Sequence, residues 1–264
     1  MVTGWTDTGL EARGSRSVDW STIGLLVLAG VGTGVIGYSA GLASLISYPS
    51  LLAAGLPPLL ANVSNTVALT CAALGGLATA GPELRPQRAR VIRFALAGSI
   101  GGVAGAVLLL STPADAFERL VPWLVALASI ALLARPWLRR VQLPGLTEHH
   151  VGLFLFIAAI AIYGGYFGAA AGVFLLATFG AVLDDPYPMV NALKSVVLGS
   201  ANISASVVFV LFADVQWTAV VPLAVGCLVG SAVSPPVVRR LPETPLRVAV
   251  GIAGLLLALD LYLR

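Results

Sequence analysis

The chain has 264 residues, of which 58% are hydrophobic and only 10% are charged, and its formal net charge is +3. This composition, with a mean hydropathy of +0.95, excludes a soluble globular domain. Several uncharged stretches exceed the roughly 20 residues that cross about 30 Å of hydrocarbon. We therefore predict an all-α polytopic protein of the cell's inner (plasma) membrane, with the lipid bilayer as its surroundings.

The amino-terminal segment, residues 1–19, mixes charged side chains with Gly, Ser and Thr. It lacks the apolar centre of a cleavable signal peptide, and we interpret it as a mobile tail. Beyond it, arginines are concentrated at the ends of the hydrophobic stretches, a pattern typical of membrane topology signals. The positive charge therefore does not indicate a nucleic-acid partner.

Eight hydrophobic blocks follow in chain order, and two of them are too long for one crossing. The blocks span approximately 20–56, 57–80, 91–111, 117–138, 151–183, 187–213, 215–238 and 246–263. The first and fifth would each be about 50 Å long as a helix. Both contain glycine clusters, where a helix is less stable, so we expect each block to break or fold back there. The clusters are Gly30, Gly32, Gly34, Gly37 and Gly41, and Gly164, Gly165, Gly168 and Gly172, with Gly37, Gly41, Gly168 and Gly172 as the expected break glycines.

The two halves of the chain match each other at a nearly constant spacing. An offset of 131 residues pairs Gly34 with Gly165, Gly37 with Gly168, Gly41 with Gly172, Pro57 with Pro188, Ala61 with Ala192 and Ser64 with Ser195. An offset of 128 continues the match through Gly98 with Gly226 and Gly102 with Gly230. Such self-similarity indicates an internal duplication. We predict a first transmembrane repeat over 20–138, a polar linker over 139–150 and a second transmembrane repeat over 151–264.

Three arginine clusters predict the orientation of the two repeats in the membrane. They are Arg85, Arg88, Arg90 and Arg93; Arg135, Arg139 and Arg140; and Arg239, Arg240 and Arg247. All three fall on the cytoplasmic side only if the fifth block crosses twice or returns as two half-helices. Each repeat then has an odd number of crossings, which predicts two inverted repeats of about five helical elements each, a common plan of secondary transporters. Eight single crossings, with one topology signal poorly obeyed, are the alternative.

The only lysine, Lys194, lies in the stretch 187–213, which otherwise carries no charge. A charge at the centre of a bilayer costs roughly 2.5–3.5 kcal/mol on insertion scales, so such a residue is a functional-site hypothesis. Asn191, Ser195 and Asn202 have the helical spacing that sets them on the same stripe as Lys194. The sequence therefore predicts a polar helix face around one buried cation.

The first repeat carries a similar polar cluster, made of Asn62, Ser64, Asn65 and Thr66. We expect the two polar faces to meet at the interface between the repeats. Hydroxyls, amides and the N–H groups of half-helix N-termini replace part of the water shell of an anion. A lysine ammonium suits a phosphate-like or sulfonate-like group, and an ammonium that can change its protonation state when desolvated offers a route to proton coupling.

Other interpretations of these residues stay open. Lys194 could extend toward the membrane interface or pair with Asp184 or Asp185, and the polar groups could simply hold helices together. Tyr38 and Tyr166 fall within the glycine breaks, where a phenol could donate a hydrogen bond into the cavity.

Metal-ligand spacing is lacking in the sequence. Cys71 and Cys227 sit in apolar segments of different repeats, and the pair His149 and His150 lies in the polar linker. We predict packing roles for the cysteines, a solvated position for the histidines, and no metal or cofactor.

The pattern resembles the TauE/SafE family of sulfite exporters and related anion permeases. The glycine-rich first helix of each half and the polar helix start behind it carry the resemblance. These segments read Gly34-Val35-Ile36-Gly37-Tyr38-Ser39-Ala40-Gly41, Gly165-Tyr166-Phe167-Gly168-Ala169-Ala170-Ala171-Gly172, Ala61-Asn62-Val63-Ser64-Asn65-Thr66 and Ala192-Leu193-Lys194-Ser195. The resemblance covers almost the whole chain from about residue 20. The chain departs from the family at Tyr38, Ser39 and Ala40, where further glycines are often found, and at Thr66, where some members have a lysine.

The resemblance implies a transporter of small sulfur-containing anions such as sulfite or organosulfonates, driven by the proton gradient. It makes Ser64, Asn65, Lys194, Ser195 and Asn202 the pore or substrate residues. The expected partners are a small anion and protons, and a homo-oligomer is compatible with the pattern. A passive anion channel is the alternative, and a membrane-embedded enzyme has less support because the spans show no catalytic dyad spacing.

Overall fold

The computed structural model describes residues 19–41, 43–79, 84–138, 151–238 and 243–263. Within these ranges the chain forms eleven α-helices and one short 3-10 turn, Arg85–Gln87. The helices are α1 (Trp20–Ala40), α2 (Ser44–Ala53), α3 (Pro58–Thr79), α4 (Arg88–Leu110), α5 (Ala114–Leu133), α6 (Arg135–Leu138), α7 (Val151–Tyr166), α8 (Ala171–Val182), α9 (Tyr187–Phe212), α10 (Trp217–Val238) and α11 (Glu243–Leu263). The tail before Asp19 and the linker 139–150, with its two histidines, lie outside the described residues.

Seven of the described helices, α1, α3, α4, α5, α9, α10 and α11, are long and apolar enough to cross a bilayer. Their outward faces carry large apolar side chains such as Leu28, Leu211 and Phe212, each at least two-thirds exposed. An apolar surface of this kind is stable against lipid and not against water. The protein is therefore a polytopic membrane protein, as the composition predicts.

The remaining helices include three short ones, α2, α7 and α8, which come from the two long hydrophobic blocks. The first block divides into α1 and α2 around Gly41, and the fifth divides into α7 and α8 around Gly168. Both glycines have positive φ, at 73° and 79°, which other residues rarely adopt. The expected breaks in the two long blocks are confirmed.

Only part of each glycine cluster forms the break, which corrects the prediction from sequence. Gly37 is inside α1, and Gly172 is inside α8. A Cβ on Gly37 would lie 2.7 Å from the Cβ of Ala43, and one on Gly172 would lie 2.6 Å from the Cα of Gly41. These two glycines permit close packing of the chain around the breaks instead of forming them.

Glycines also let helices from the two halves of the chain pack backbone against backbone. In α1, a Cβ on Gly34 would lie 2.8 Å from the carbonyl carbon of Gly230 in α10. In α7, a Cβ on Gly165 would lie 3.0 Å from the Cα of Gly102 in α4. The sequence matches Gly34 to Gly165 and Gly230 to Gly102, so these are the same contact made twice, once by each half.

Successive contacts give the direction in which neighbouring helices run. Gly30 lies against Gly226 and Gly34 against Gly230, so α1 and α10 run in the same direction. The backbone N–H of Gln216 reaches Ser64, and further along a Cβ on Gly75 would meet Leu228, so α3 and α10 also run together.

The helices α4, α7 and α9 form a second parallel group. Gly98 lies against Val197 and Gly102 against Ala201, so α4 and α9 run together. Likewise Gly101 lies against Ala158, and Gly105, one turn later, against Ile162, so α4 and α7 run together.

The two groups run in opposite directions where α3 crosses α9. Thr70 is 3.0 Å from Ser206 between hydroxyl oxygens, whereas Ala73, later in α3, contacts Gly199, earlier in α9. The arginine end of the molecule, defined by Arg85, Arg88 and Arg90, is therefore where α3 ends and where α4 and α9 begin. At that end Arg90 Nη1 is 2.7 Å from Asp185 Oδ2, just before α9.

Candidate functional site

Lys194 is buried inside the molecule, with only 1% of its surface exposed. It is the eighth residue of α9, about 10 Å along the helix from its start. Its Nζ lies 3.5 Å from the carbonyl oxygen of Gly37, a long contact with the last turn of α1. That carbonyl also accepts the N–H of Gly41 at 2.9 Å, where α1 ends. Lys194 thus holds α9 against the broken end of α1.

The burial of Lys194 decides between two interpretations left open by the sequence. A side chain that extends to the interface would be exposed at its tip, and this one is enclosed by protein. Asp185 pairs with Arg90, and Asp184 is exposed. The ammonium therefore points into the protein.

A cavity of about 60 Å³ lies beside Lys194, between α1, α3 and α9. From α9 it is lined by Lys194, Ser195, Leu198 and Asn202, which follow one stripe of the helix. The sequence predicts the three polar members of this stripe. The cavity gathers an ammonium, a hydroxyl and an amide, all of which can donate hydrogen bonds to an anion.

The opposite wall of the cavity is apolar and belongs to the first half of the chain. It consists of Gly34 and Gly37 of α1, Ala43 before α2, and Leu69, Ala72 and Ala73 of α3. Sequence reasoning missed this wall because leucine and alanine carry no chemical signal. Only the antiparallel crossing of α3 and α9 identifies it.

The start of α2 also reaches the cavity. Ala43 lines the cavity and is the N-cap residue of this ten-residue helix. The following residue, Ser44, is 3% exposed, and its Oγ has no hydrogen-bond partner among the described residues. The first N–H groups of a helix carry a partial positive charge. The start of α2 is therefore a second positive feature of the cavity, besides the Lys194 ammonium, that favours an anion.

The predicted first-repeat cluster does not face Lys194, which corrects an expectation from the sequence. Ser206 Oγ is 3.3 Å from the carbonyl oxygen of Thr66, so this part of α3 lies level with the later part of α9. Lys194 is twelve residues earlier, about 18 Å away along the helix axis. The two polar clusters therefore occupy opposite ends of the crossing between α3 and α9.

Each residue of the first-repeat cluster is buried, and three of the four have hydrogen-bond partners. The Nδ2 of Asn62 donates to the carbonyl oxygen of Tyr166 at 2.8 Å. Ser64 Oγ accepts the N–H of Gln216 at 3.1 Å, and Thr66 Oγ1 donates to the Asn62 carbonyl at 3.1 Å. Asn65 differs, because neither polar atom of its side chain has a hydrogen-bond partner among the described residues.

The other predicted site residues lie away from the cavity wall. Asn191 is buried one turn before Ser195, which donates to the Asn191 carbonyl at 3.0 Å. The hydroxyl of Tyr166 is 3.5 Å from Thr112 Oγ1, beyond the end of α4, so it is directed away from Lys194. The side chain of Tyr38 lies outside what the structure describes.

Comparison with known proteins decides the class of this molecule. The sequence matches the sulfite exporter TauE/SafE family over residues 26–261. The chain belongs to this family. It is a family of membrane transporters and not of enzymes, so the TauE/SafE chain described here is a multi-pass membrane transporter, as the resemblance implies.

Curated relatives of this TauE/SafE chain are similar at low identity over most of their length. A probable membrane transporter protein, ORF9, of Sinorhizobium sp. is 24% identical over 80% of this chain and 81% of its own. YfcA of Escherichia coli K12, also a probable membrane transporter protein, is 26% identical over 79% and 78%. A probable membrane transporter protein of Haemophilus influenzae is 23% identical over 89% and 92%. No solved structure matches the chain.

Proposed function

We propose that this protein is a secondary transporter that exports small sulfur-containing oxyanions, such as sulfite or organosulfonates, by alternating access between its two repeats. The observation that carries the proposal is the cavity at Lys194, which combines a buried cation with a hydroxyl and an amide. Membership of the sulfite exporter family supports the choice of anion.

The chemistry of the cavity favours a small oxyanion. Its volume of about 60 Å³ corresponds to roughly four to six water positions, which suits a sulfite ion or a sulfonate head group. The Lys194 ammonium supplies the charge, and the Asn202 amide can donate to one oxygen of the anion. The Ser195 hydroxyl donates to the Asn191 carbonyl here and can rotate to donate to a second oxygen. The first turn of α2 lies beside Ala43 in the opposite wall and favours negative charge.

The packing of the helices supports two inverted repeats, α1–α5 and α7–α11. The contact of α1 with α10 recurs between α7 and α4, and α3 crosses its counterpart α9 antiparallel. Matching helices therefore run in opposite directions, as an axis in the membrane plane requires. This arrangement brings Arg88, Arg135 and Arg247 to one end, which we assign to the cytoplasm.

Proton coupling is part of the same proposal. A desolvated ammonium can change its protonation state, and Lys194 is the one lysine of this chain and is buried. The residue can therefore alternate between binding an anion when charged and releasing it when neutral.

Transport of radiolabelled sulfite into proteoliposomes tests this function. Vesicles loaded with unlabelled sulfite should accumulate labelled sulfite transiently by counterflow, and the uptake should saturate. A passive channel would show neither behaviour. Sulfoacetate, taurine, thiosulfate and sulfate, added as competitors, would identify the preferred anion, and failure of sulfite and all of these compounds to move would contradict the proposal.

A further inference from the structure

We infer that the same anion passes through a second cavity, lined by Ser64, Cys71, Ser200 and Ser204, at the end of the molecule opposite the arginines. This inference rests on the proposed function. It follows from the duplication, which gives every residue of the observed cavity a counterpart in the other repeat. The second cavity is closed in this structure.

The counterparts are found with the offset of 131 residues. Ser195 and Asn202 in α9 correspond to Ser64 and Cys71 in α3. The apolar wall residues Leu69 and Ala73 in α3 correspond to Ser200 and Ser204 in α9. If each repeat adopted the conformation that the other has in this structure, a cavity would open between these residues, with hydroxyls on both walls.

Contacts between the two repeats show how the second cavity is closed. Ser64 Oγ accepts the N–H of Gln216, just before α10, at 3.1 Å. Ser204 Oγ donates to the Ser99 carbonyl of α4 at 3.0 Å. By contrast Ser195, the counterpart of Ser64, bonds within its own helix and faces the open cavity. The two equivalent serines thus have different surroundings, as expected for a molecule open on one side.

The position of the second cavity follows from the directions of the helices. Ser64 is near the start of α3, which lies at the end opposite the arginines, and Cys71 is two turns further in. Asn202 occupies the matching depth in α9, measured from the arginine end. The two cavities therefore approach the centre of the molecule from opposite sides.

The second cavity differs from the first in charge. The residue that corresponds to Lys194 is Val63, which is apolar and buried. An anion surrounded by hydroxyl groups and a thiol is bound more weakly than one beside an ammonium. The second cavity therefore suits release of the anion and the first suits its capture.

The native thiol of Cys71 tests this inference without an engineered reporter. Cys71 is partly buried here, whereas Cys227 is fully buried. During transport of sulfoacetate, which unlike sulfite does not react with thiosulfonates or disulfides, a charged, membrane-impermeant methanethiosulfonate should modify wild-type protein from the side opposite the arginines. Cys71→Ser should abolish this modification. In the Cys71→Ser background, Asn202→Cys should react from the arginine side.

A matched control separates the cavity from general exposure. Leu74 lies on α3 close to Cys71 but is 51% exposed on the lipid-facing surface, so Leu74→Cys in the Cys71→Ser background should not react with the charged reagent. Modification of Cys71 from the arginine side, or none while sulfoacetate counterflow proceeds, would overturn the second cavity and leave the proposed function intact. Modification from the opposite side, in a protein that moves none of the tested anions, would support the cavity and refute the proposed substrate.

Discussion

Ser195 is the residue whose role in the cavity can be isolated most cleanly. Its hydroxyl lines the cavity beside Lys194 and donates to the backbone of its own helix. We expect Ser195→Ala to raise the KM for sulfite about tenfold, because a hydrogen bond to a charged group contributes roughly 1.5–3 kcal/mol. The measurement is initial rate against sulfite concentration in proteoliposomes.

Ser206 in the same helix provides the matched control. It is buried but bonds to Thr66 and Thr70, away from Lys194. Ser206→Ala should leave the KM for sulfite unchanged. Equal changes in the two variants would mean that Ser195 acts through the stability of α9 and not through the anion.

Sequence reasoning finds about half of this site, for a physical reason. Lys194, Ser195 and Asn202 stand out because polar groups are costly in an apolar span and their helical spacing puts them on one stripe. Leu69 and Ala43 complete the cavity only through the way their helices pack. The sequence also expects Asn62 opposite Lys194, but the antiparallel crossing of α3 and α9 moves the two to opposite ends.

At the scale of elements, the crossing of α1 with α10 depends on Gly34. A Cβ there would overlap the carbonyl oxygen of Cys227 and the backbone of Gly230. We expect Gly34→Ala to lower the free energy of unfolding by about 1–3 kcal/mol, the usual cost of overpacking. A thermal unfolding curve of the protein in detergent measures the change.

Gly24, in the same helix, gives the control for this substitution. A Cβ at Gly24 meets nothing within 4 Å. Gly24→Ala should therefore leave the unfolding temperature unchanged or raise it, because alanine favours a helix over glycine by about 1 kcal/mol. An unfolding temperature for Gly34→Ala that matches Gly24→Ala would refute the close crossing.

The glycine clusters also show how far the helix breaks can be predicted from the sequence. Their clusters predict correctly that both long blocks break, because glycine weakens a helix. They do not show which glycine forms the break, since the same residue type permits close helix packing. Gly34 serves the packing and Gly41 the break, and only their surroundings distinguish them.

At the scale of the whole molecule, the inverted arrangement that we propose determines which loops share a side of the membrane. We expect Arg88→Cys at the start of α4 and Pro245→Cys near the start of α11 to react with an impermeant maleimide from the same side. Ser111→Cys, between α4 and α5, should react from the other side, because α4 separates it from Arg88. Labelling of intact cells and of inverted vesicles gives the side for each variant.

A non-inverted arrangement would give a different labelling pattern. If the second repeat had the same orientation as the first, Arg88→Cys and Pro245→Cys would react from opposite sides. The sequence alone predicts the inverted arrangement from the arginine clusters. It cannot supply the repeated contact of Gly34 with Gly230 and of Gly165 with Gly102, which depends on the packed molecule.

The binding of sulfite to purified wild-type protein and to Lys194→Met, measured by isothermal titration calorimetry in detergent, tests the central claim most directly. Wild-type protein and Arg85→Met, which removes an exposed cation, should bind one sulfite per chain with similar affinity. Lys194→Met should bind about 100-fold more weakly, as expected when one partner of a buried charge pair is lost. Undiminished binding to a folded Lys194→Met, with an unchanged unfolding temperature, would contradict the assignment of the anion to the Lys194 cavity.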